Sequence, residues 1–112
     1  MTILYERGDV IVIPFPFIDS LLAKRRPAVV LSNSKFNEPN SALICGMLTS
    51  GAGEDWAGDV SIKNWREAGL KKPCVFRLKV FTIESNLVRE KVGKIHGKEL
   101  QKIASTMNEI FT

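Results

Sequence analysis

Three side chains of this 112-residue chain, Arg26, Thr49 and Arg77, could act together on a phosphate ester. Arginine presents a planar, permanently charged fork that matches phosphate oxygens two at a time. A threonine hydroxyl can hydrogen-bond an oxygen on which charge develops. Residues 27–32 and 41–49 are apolar, strand-like runs. If they form an antiparallel hairpin centred near residues 37–38, Arg26 faces Thr49, and guanidinium and hydroxyl share one rim. Arg77, near the end of the run Val75-Phe76-Arg77, can point towards that rim. Cleaving an RNA backbone without metal needs a group to take the 2′-hydroxyl proton, one to neutralise the phosphorane and one to protonate the leaving 5′-oxygen. Arginine suits the second task. Other readings stay open at this point: Arg77 as a surface guanidinium in a salt bridge, Arg25 and Arg26 as solvated loop charges, and Thr49 or Ser50 as ordinary turn hydroxyls.

Competing chemistries find little in the residues. No glycine-rich phosphate loop leads into a helix, and there is no nucleophile elbow. The sole histidine, His96, sits just before the C-terminal helical pattern, which places it exposed near a helix start. Cys45 and Cys74 each lie in an apolar run and read as buried, reduced thiols rather than a disulfide. One histidine and two distant cysteines lack zinc-ligand spacing. Asp9 and Asp59 read as turn and strand-start residues rather than a metal pair. Neither a metal nor a small-molecule cofactor is expected.

The elements that must hold these groups follow from periodicity. Short β-branched and apolar runs at 9–15, 27–32, 41–49, 58–62, 73–78 and 80–83, with a shorter extended piece at 92–95, alternate with Pro, Gly, Asn and Asp clusters. Residues 64–69 read as one helical turn stopped by glycine. At the C-terminus Leu100, Ile103, Ala104, Met107, Ile110 and Phe111 recur at helical spacing, with Lys98, Gln101, Lys102, Ser105 and Asn108 on the other face. This pattern predicts a mainly β, α+β fold: a small, strongly curved antiparallel sheet or partly open barrel with a C-terminal helix, as a single domain over residues 1–112. The stretch from Pro16 to Arg25 is long for a hairpin connection, and such loops often carry function. Formal net charge is +4, and residues 57–112 hold eleven Lys/Arg against six Asp/Glu, whereas residues 1–56 hold five against six. That asymmetry suits a polyanion, or an acidic protein competing for the same surface. The first residues lack a signal-peptide pattern and no apolar run approaches the ~20 residues of a membrane span, so the cytoplasm is the expected compartment.

Several segments together resemble the MazF/PemK toxin family. These are Arg7-Gly8-Asp9-Val10 leading into the first strand, Phe15-Pro16-Phe17, and Lys24-Arg25-Arg26-Pro27-Ala28-Val29-Val30-Leu31-Ser32-Asn33 with its arginine-proline start to the second strand. Leu48-Thr49-Ser50 resembles the family's threonine at the end of the third strand. Trp65-Arg66-Glu67-Ala68-Gly69-Leu70-Lys71-Lys72-Pro73 and the stretch from Arg77 to Ile83 resemble a PemK-like branch. The resemblance implies an SH3-like β-barrel with a C-terminal helix, a homodimer whose subunits form a groove for single-stranded RNA, and a cognate antitoxin that blocks that groove. It also implies a metal-independent, sequence-specific endoribonuclease that leaves a 2′,3′-cyclic phosphate or 3′-phosphate and a 5′-hydroxyl.

Carried over by position, the resemblance makes Arg26 the residue that holds the scissile phosphate and takes part in proton transfer. Thr49 hydrogen-bonds the developing charge and Arg77 stabilises it further. Phe17, Lys24, Arg25, Ser50 and Lys79 contact RNA. The chain departs from the family pattern at Asp19-Ser20-Leu21-Leu22-Ala23, where many members have a Gly-Ser-Glu-like stretch, and at Lys79, where some place an aspartate as a proposed base. The general base is left open by Lys79, with Arg26 the first candidate. Alternatives within the same fold are a non-catalytic inhibitor like the gyrase-poisoning CcdB toxins, whose C-terminal tryptophan is missing here, and a degenerate domain that binds RNA or antitoxin without cutting.

Overall fold

The computed structural model describes residues 3–15, 24–50 and 55–112. Six strands form one antiparallel sheet: β1 Asp9–Phe15, β2 Lys24–Val30, β3 Ala42–Thr49, β4 Val60–Ile62, β5 Cys74–Glu84 and β6 Glu90–Lys94, in the spatial order β4-β5-β3-β2-β1-β6. Helix α1 Ser34–Asn40 connects β2 to β3, and helix α2 Gly97–Phe111 closes the chain. The curved antiparallel sheet with a C-terminal helix is the architecture that the sequence predicts.

Alternation along the strands builds a core on each face of the sheet, because successive side chains point to opposite sides. Val10, Val29, Leu48, Cys74 and Phe76 face one side, where Val60, Ile62, Leu70 and Ile103 of α2 pack on them. Ile11, Ile13, Ala28, Val30, Leu43, Cys45 and Ile83 face the other, with Tyr5. The two cysteines are thus free thiols in different cores, and burial pushes the Cys45 thiol up to about 12.

The hairpin register is the predicted one, with Ala28 opposite Met47, Val29 opposite Gly46 and Val30 opposite Cys45. The connection is not a simple loop, however. Asn33 caps α1 by accepting from the Phe36 amide at 3.1 Å, and Asn37 donates to the carbonyls of Tyr5 and Ser32. The sequence Ser34-Lys35-Phe36-Asn37-Glu38-Pro39-Asn40 has no apolar period and carries a proline, so the helix depends on its cap and on Asn37 rather than on propensity. The two runs expected at 73–78 and 80–83 are one strand. Its pairing with β3 slips between Gly46 and Met47, leaving Leu78 and Lys79 as a bulge.

Closure comes from the segment before β5 laid against β6. A Cβ at Gly93 would overlap the Ala68 carbonyl, and one at Gly69 the Val92 carbonyl, so only glycines permit this backbone contact. Helix α2 is fixed at its start. His96, exposed as predicted, accepts from the Lys98 amide at 3.2 Å, and buried Glu99 accepts from the Lys63 and Asn64 amides. The far end of α2 departs from the predicted face, since Ile110 and Phe111 are exposed.

Gly93→Ala should therefore lower the urea unfolding free energy by about 1–3 kcal/mol. Gly97→Ala, where an added Cβ meets nothing within 4 Å, should leave it unchanged or raise it by up to ~1 kcal/mol, because alanine loses less backbone entropy in a helix.

Candidate functional site

Four strands carry the second core along their length and then, at one end of the sheet, exchange it for cationic, hydroxyl and aromatic side chains on the same face. On β1 the series Ile11, Ile13 continues to Phe15, and on β2 Val30 and Ala28 give way to Arg26. On β3 Cys45 continues to Met47 and Thr49; on β5 Arg77 lies opposite Met47. These ends surround a cavity of about 260 Å³ lined by Phe15, Arg26, Met47, Leu48, Thr49, Arg77 and Lys79. Arg26, Thr49 and Arg77 are thus brought together, as the register argument requires.

A backbone detail opens the cavity. The Leu31 amide donates to the Ile44 carbonyl, so odd-numbered residues of β2 direct their polar groups at β3. Pro27 is the next but one after Val29 and has no amide hydrogen to give. Paired residues of β2 and β3 end at Ala28 and Met47, and the strands part before Arg26 and Thr49. Arg26 itself is held by β1, opposite Ile13.

The two guanidiniums differ in setting. Arg26 is exposed, with its Cζ 5.4 Å from the Phe15 ring centre. Arg77 is only 9% exposed and is gripped side-on by Asp59, Nη2 to Oδ2 at 2.8 Å and Nε to Oδ1 at 3.2 Å. Arg77 therefore lines the cavity and is salt-bridged as well, but as a buried side chain rather than the surface guanidinium of the salt-bridge reading. The Arg77 guanidinium, through its hydrogen bonds to the carboxylate, holds Asp59 below its usual pKa. A carboxylate so held is a weak base, and it fixes the arginine. Trp56 completes the cluster: the Arg77 Cζ and the Lys79 Nζ each lie 5.2 Å from its ring.

Lys79 occupies the bulge of β5, which turns it into the cavity beside Arg77. Lys24 and Ser50 are exposed next to the cavity residues Arg26 and Thr49 but do not line the cavity. Arg25 goes elsewhere. Adjacent strand residues point to opposite faces, and Arg25 lines a separate cavity of about 490 Å³ with Lys71, Lys72, Glu90 and an apolar floor including Leu70 and Val92. Phe17 lies outside the described residues, as do Leu21 and Leu22. Phe15, Trp56 and Asp59 were not among the expected site residues. Phe15 was foreseeable as the continuation of the Ile11, Ile13 period; Asp59, read as a strand-start residue, reveals its partner only in three dimensions. No carboxylate or imidazole lines the cavity among the described residues.

None of the curated proteins matches the chain in sequence. Solved structures match it over nearly its whole length. An endoribonuclease in complex with its cognate antitoxin from a mycobacterial species has a TM-score of 0.77 at 13% identity, covering 98% of this chain and 95% of that one. MazF of Deinococcus radiodurans gives 0.76 at 17% identity with 98% of each chain covered. A MazE-MazF complex from the same organism gives 0.78 at 15% identity with 97% of each covered. At such identities the likeness establishes the fold. The profile of one family, described as PemK-like, MazF-like toxin of type II toxin-antitoxin system, matches residues 6–111, and the chain belongs to that family of toxins.

Proposed function

We propose that the protein is a metal-independent endoribonuclease that cuts single-stranded RNA in the cytoplasm and is held in check by a cognate antitoxin. The observation that supports this most directly is the convergence of Arg26, Thr49 and Arg77 on one cavity. In this reading the 2′-oxygen attacks phosphorus as the bond to the 5′-oxygen breaks, leaving a 2′,3′-cyclic phosphate and a 5′-hydroxyl. Arg26 binds the scissile phosphate. Its guanidinium gives a proton to the departing 5′-oxygen and takes one from the 2′-hydroxyl, so it begins and ends charged. Thr49 hydrogen-bonds a phosphoryl oxygen of the phosphorane, and Arg77, held rigid by Asp59, stabilises the same charge without reorganising during the reaction. Lys79, Lys24 and Ser50 contact flanking backbone; Arg25, on the opposite face, contacts RNA outside the cavity, and Phe17 is a further RNA contact. The absence of carboxylate and imidazole from the described lining of the cavity supports one alternative, a toxin that binds RNA without cutting it.

A second copy of the chain is the partner that the outer apolar surface suits. Leu31, Ile44, Val80, Met107 and Phe111 line a shallow hollow, and Phe111 is 71% exposed. Such a patch on a small chain is typical of an interface. Phe111→Asp should convert a dimer to a monomer in sedimentation equilibrium while the thermal unfolding signal persists.

Incubation with mixed-sequence RNA in EDTA should yield fragments with 5′-hydroxyl ends, and deoxyribose at the cut should stop cleavage. Arg26→Ala should lower kcat/KM by roughly 10²- to 10⁴-fold, and Arg26→Lys should not restore it, since an ammonium lacks the fork. RNA retention without any cleavage would select the binding-only alternative.

Asp59 gives a pH test. Its pKa in the folded chain is lowered, so its pairing with Arg77 contributes fully above the unfolded carboxylate value and is lost as pH falls through the lower folded one. Between about pH 5 and pH 2 the wild type should lose more urea resistance than Asp59→Asn, which has no such proton to take up.

A further inference from the structure

Trp56 is a large aromatic side chain left 43% exposed beside the cavity, and its backbone is clamped. Its amide donates to Asp59 Oδ2 at 3.1 Å, and its carbonyl accepts from the Asp59 amide at 3.1 Å. The same Oδ2 accepts from Arg77 Nη2 at 2.8 Å. The Trp56 backbone and the Arg77 guanidinium therefore share one carboxylate, which roots the indole beside the cationic cavity, where its ring lies against Arg77 and Lys79. Across the cavity the motif is repeated, with Phe15 40% exposed beside the Arg26 guanidinium.

A single-stranded nucleic acid offers alternating phosphates and flat apolar bases. Proteins that bind it pair cations with exposed aromatic rings at matching intervals. Packing against Arg77 and Lys79 accounts for part of the ring and leaves the remainder open to water. A ring that served only to shield the Asp59–Arg77 pair would gain by being covered.

We infer that Trp56 is a stacking platform for a base next to the phosphate held by Arg26, Thr49 and Arg77, and that Asp59 is the positioning residue that sets its place. This rests on the reading of the cavity as a site for single-stranded RNA. Trp56 then contributes to choosing where the strand is cut, because its grip depends on which base stacks there. Stacking of one base changes affinity by roughly 5- to 150-fold.

The test uses Trp65→Phe protein, in which Trp56 is the only tryptophan, and an RNA oligonucleotide with deoxyribose at the mapped cut. Titration should quench the indole fluorescence saturably. An abasic substitution at one position beside the cut should remove the quench and weaken binding at least 5-fold. Trp56→Ala should weaken binding of the parent oligonucleotide by a similar factor and show no further loss with the abasic one, the coupling expected of groups in contact. KM should rise with kcat at saturation nearly unchanged, Trp56→Phe should recover most of the loss, and Asp59→Asn should weaken both stacking and kcat. Equal losses from the abasic substitution in parent and Trp56→Ala protein, or an unaltered KM and cleavage pattern in Trp56→Ala, would overturn the platform while leaving the ribonuclease standing. Failure of the Trp65→Phe and wild-type proteins to bind or cut any RNA would remove the ribonuclease reading itself, and the platform with it.

Discussion

The β2–β3 ladder lacks one donor, and the architecture of the cavity depends on that gap. From Leu31, just past β2, back along the strand, every odd-numbered residue is placed to give its amide to β3, and at Pro27 there is none to give. Above that point the strands carry a closed core on both faces. Below it they separate, and the face that held Ala28 and Cys45 holds Arg26 and Thr49 around an open volume. A non-proline residue at 27 would restore the missing donor to the ladder. Pro14 on β1 is tolerated for a related reason, since β6 pairs with β1 only as far as Val12, and the strand has one neighbour beyond it.

Charge in the cavity is arranged in two tiers. Arg77 is buried, and an unpaired guanidinium there would be strongly penalised. Asp59 meets that demand with two hydrogen bonds and in doing so orients the fork. Neutralising Arg77 in part leaves Arg26 and Lys79 as the more exposed cations, so the cavity keeps a net positive field while its inner arginine is held in place. Two residues after this arginine the chain has another cation, Lys79. The carboxylate that meets the Arg77 guanidinium comes from the turn before β4.

The same sheet also divides neighbours in the sequence. Lys24, Arg25 and Arg26 read as one basic cluster, yet strand alternation sends Arg25 to the first core's face and a separate cavity with Lys71 and Lys72. Treating such a run as a single patch is safe in a loop and fails once the run is inside a strand, because the side-chain period is two.

Much of the fold was legible in the chain. Alternating apolar residues mark the strands, helical spacing marks most of α2, and the near symmetry of the runs about residues 37–38 was enough to set the register that leaves Arg26 and Thr49 at the same end of the β2–β3 ladder. Those signals are local periodicities, which sequence records directly. Helix α1 was hidden because a cap and a buried Asn37 hold it without any apolar period. The bulge at Leu78 and Lys79 was hidden because it arises from a mismatch between two strands. Asp59, Trp56 and Arg77 become one unit only when the turn before β4 is folded onto β5. Most strands, the C-terminal helix, most of their faces and one register were written in the chain; which distant charges meet was left to the tertiary fold, because an ion pair between remote residues leaves no period in the sequence.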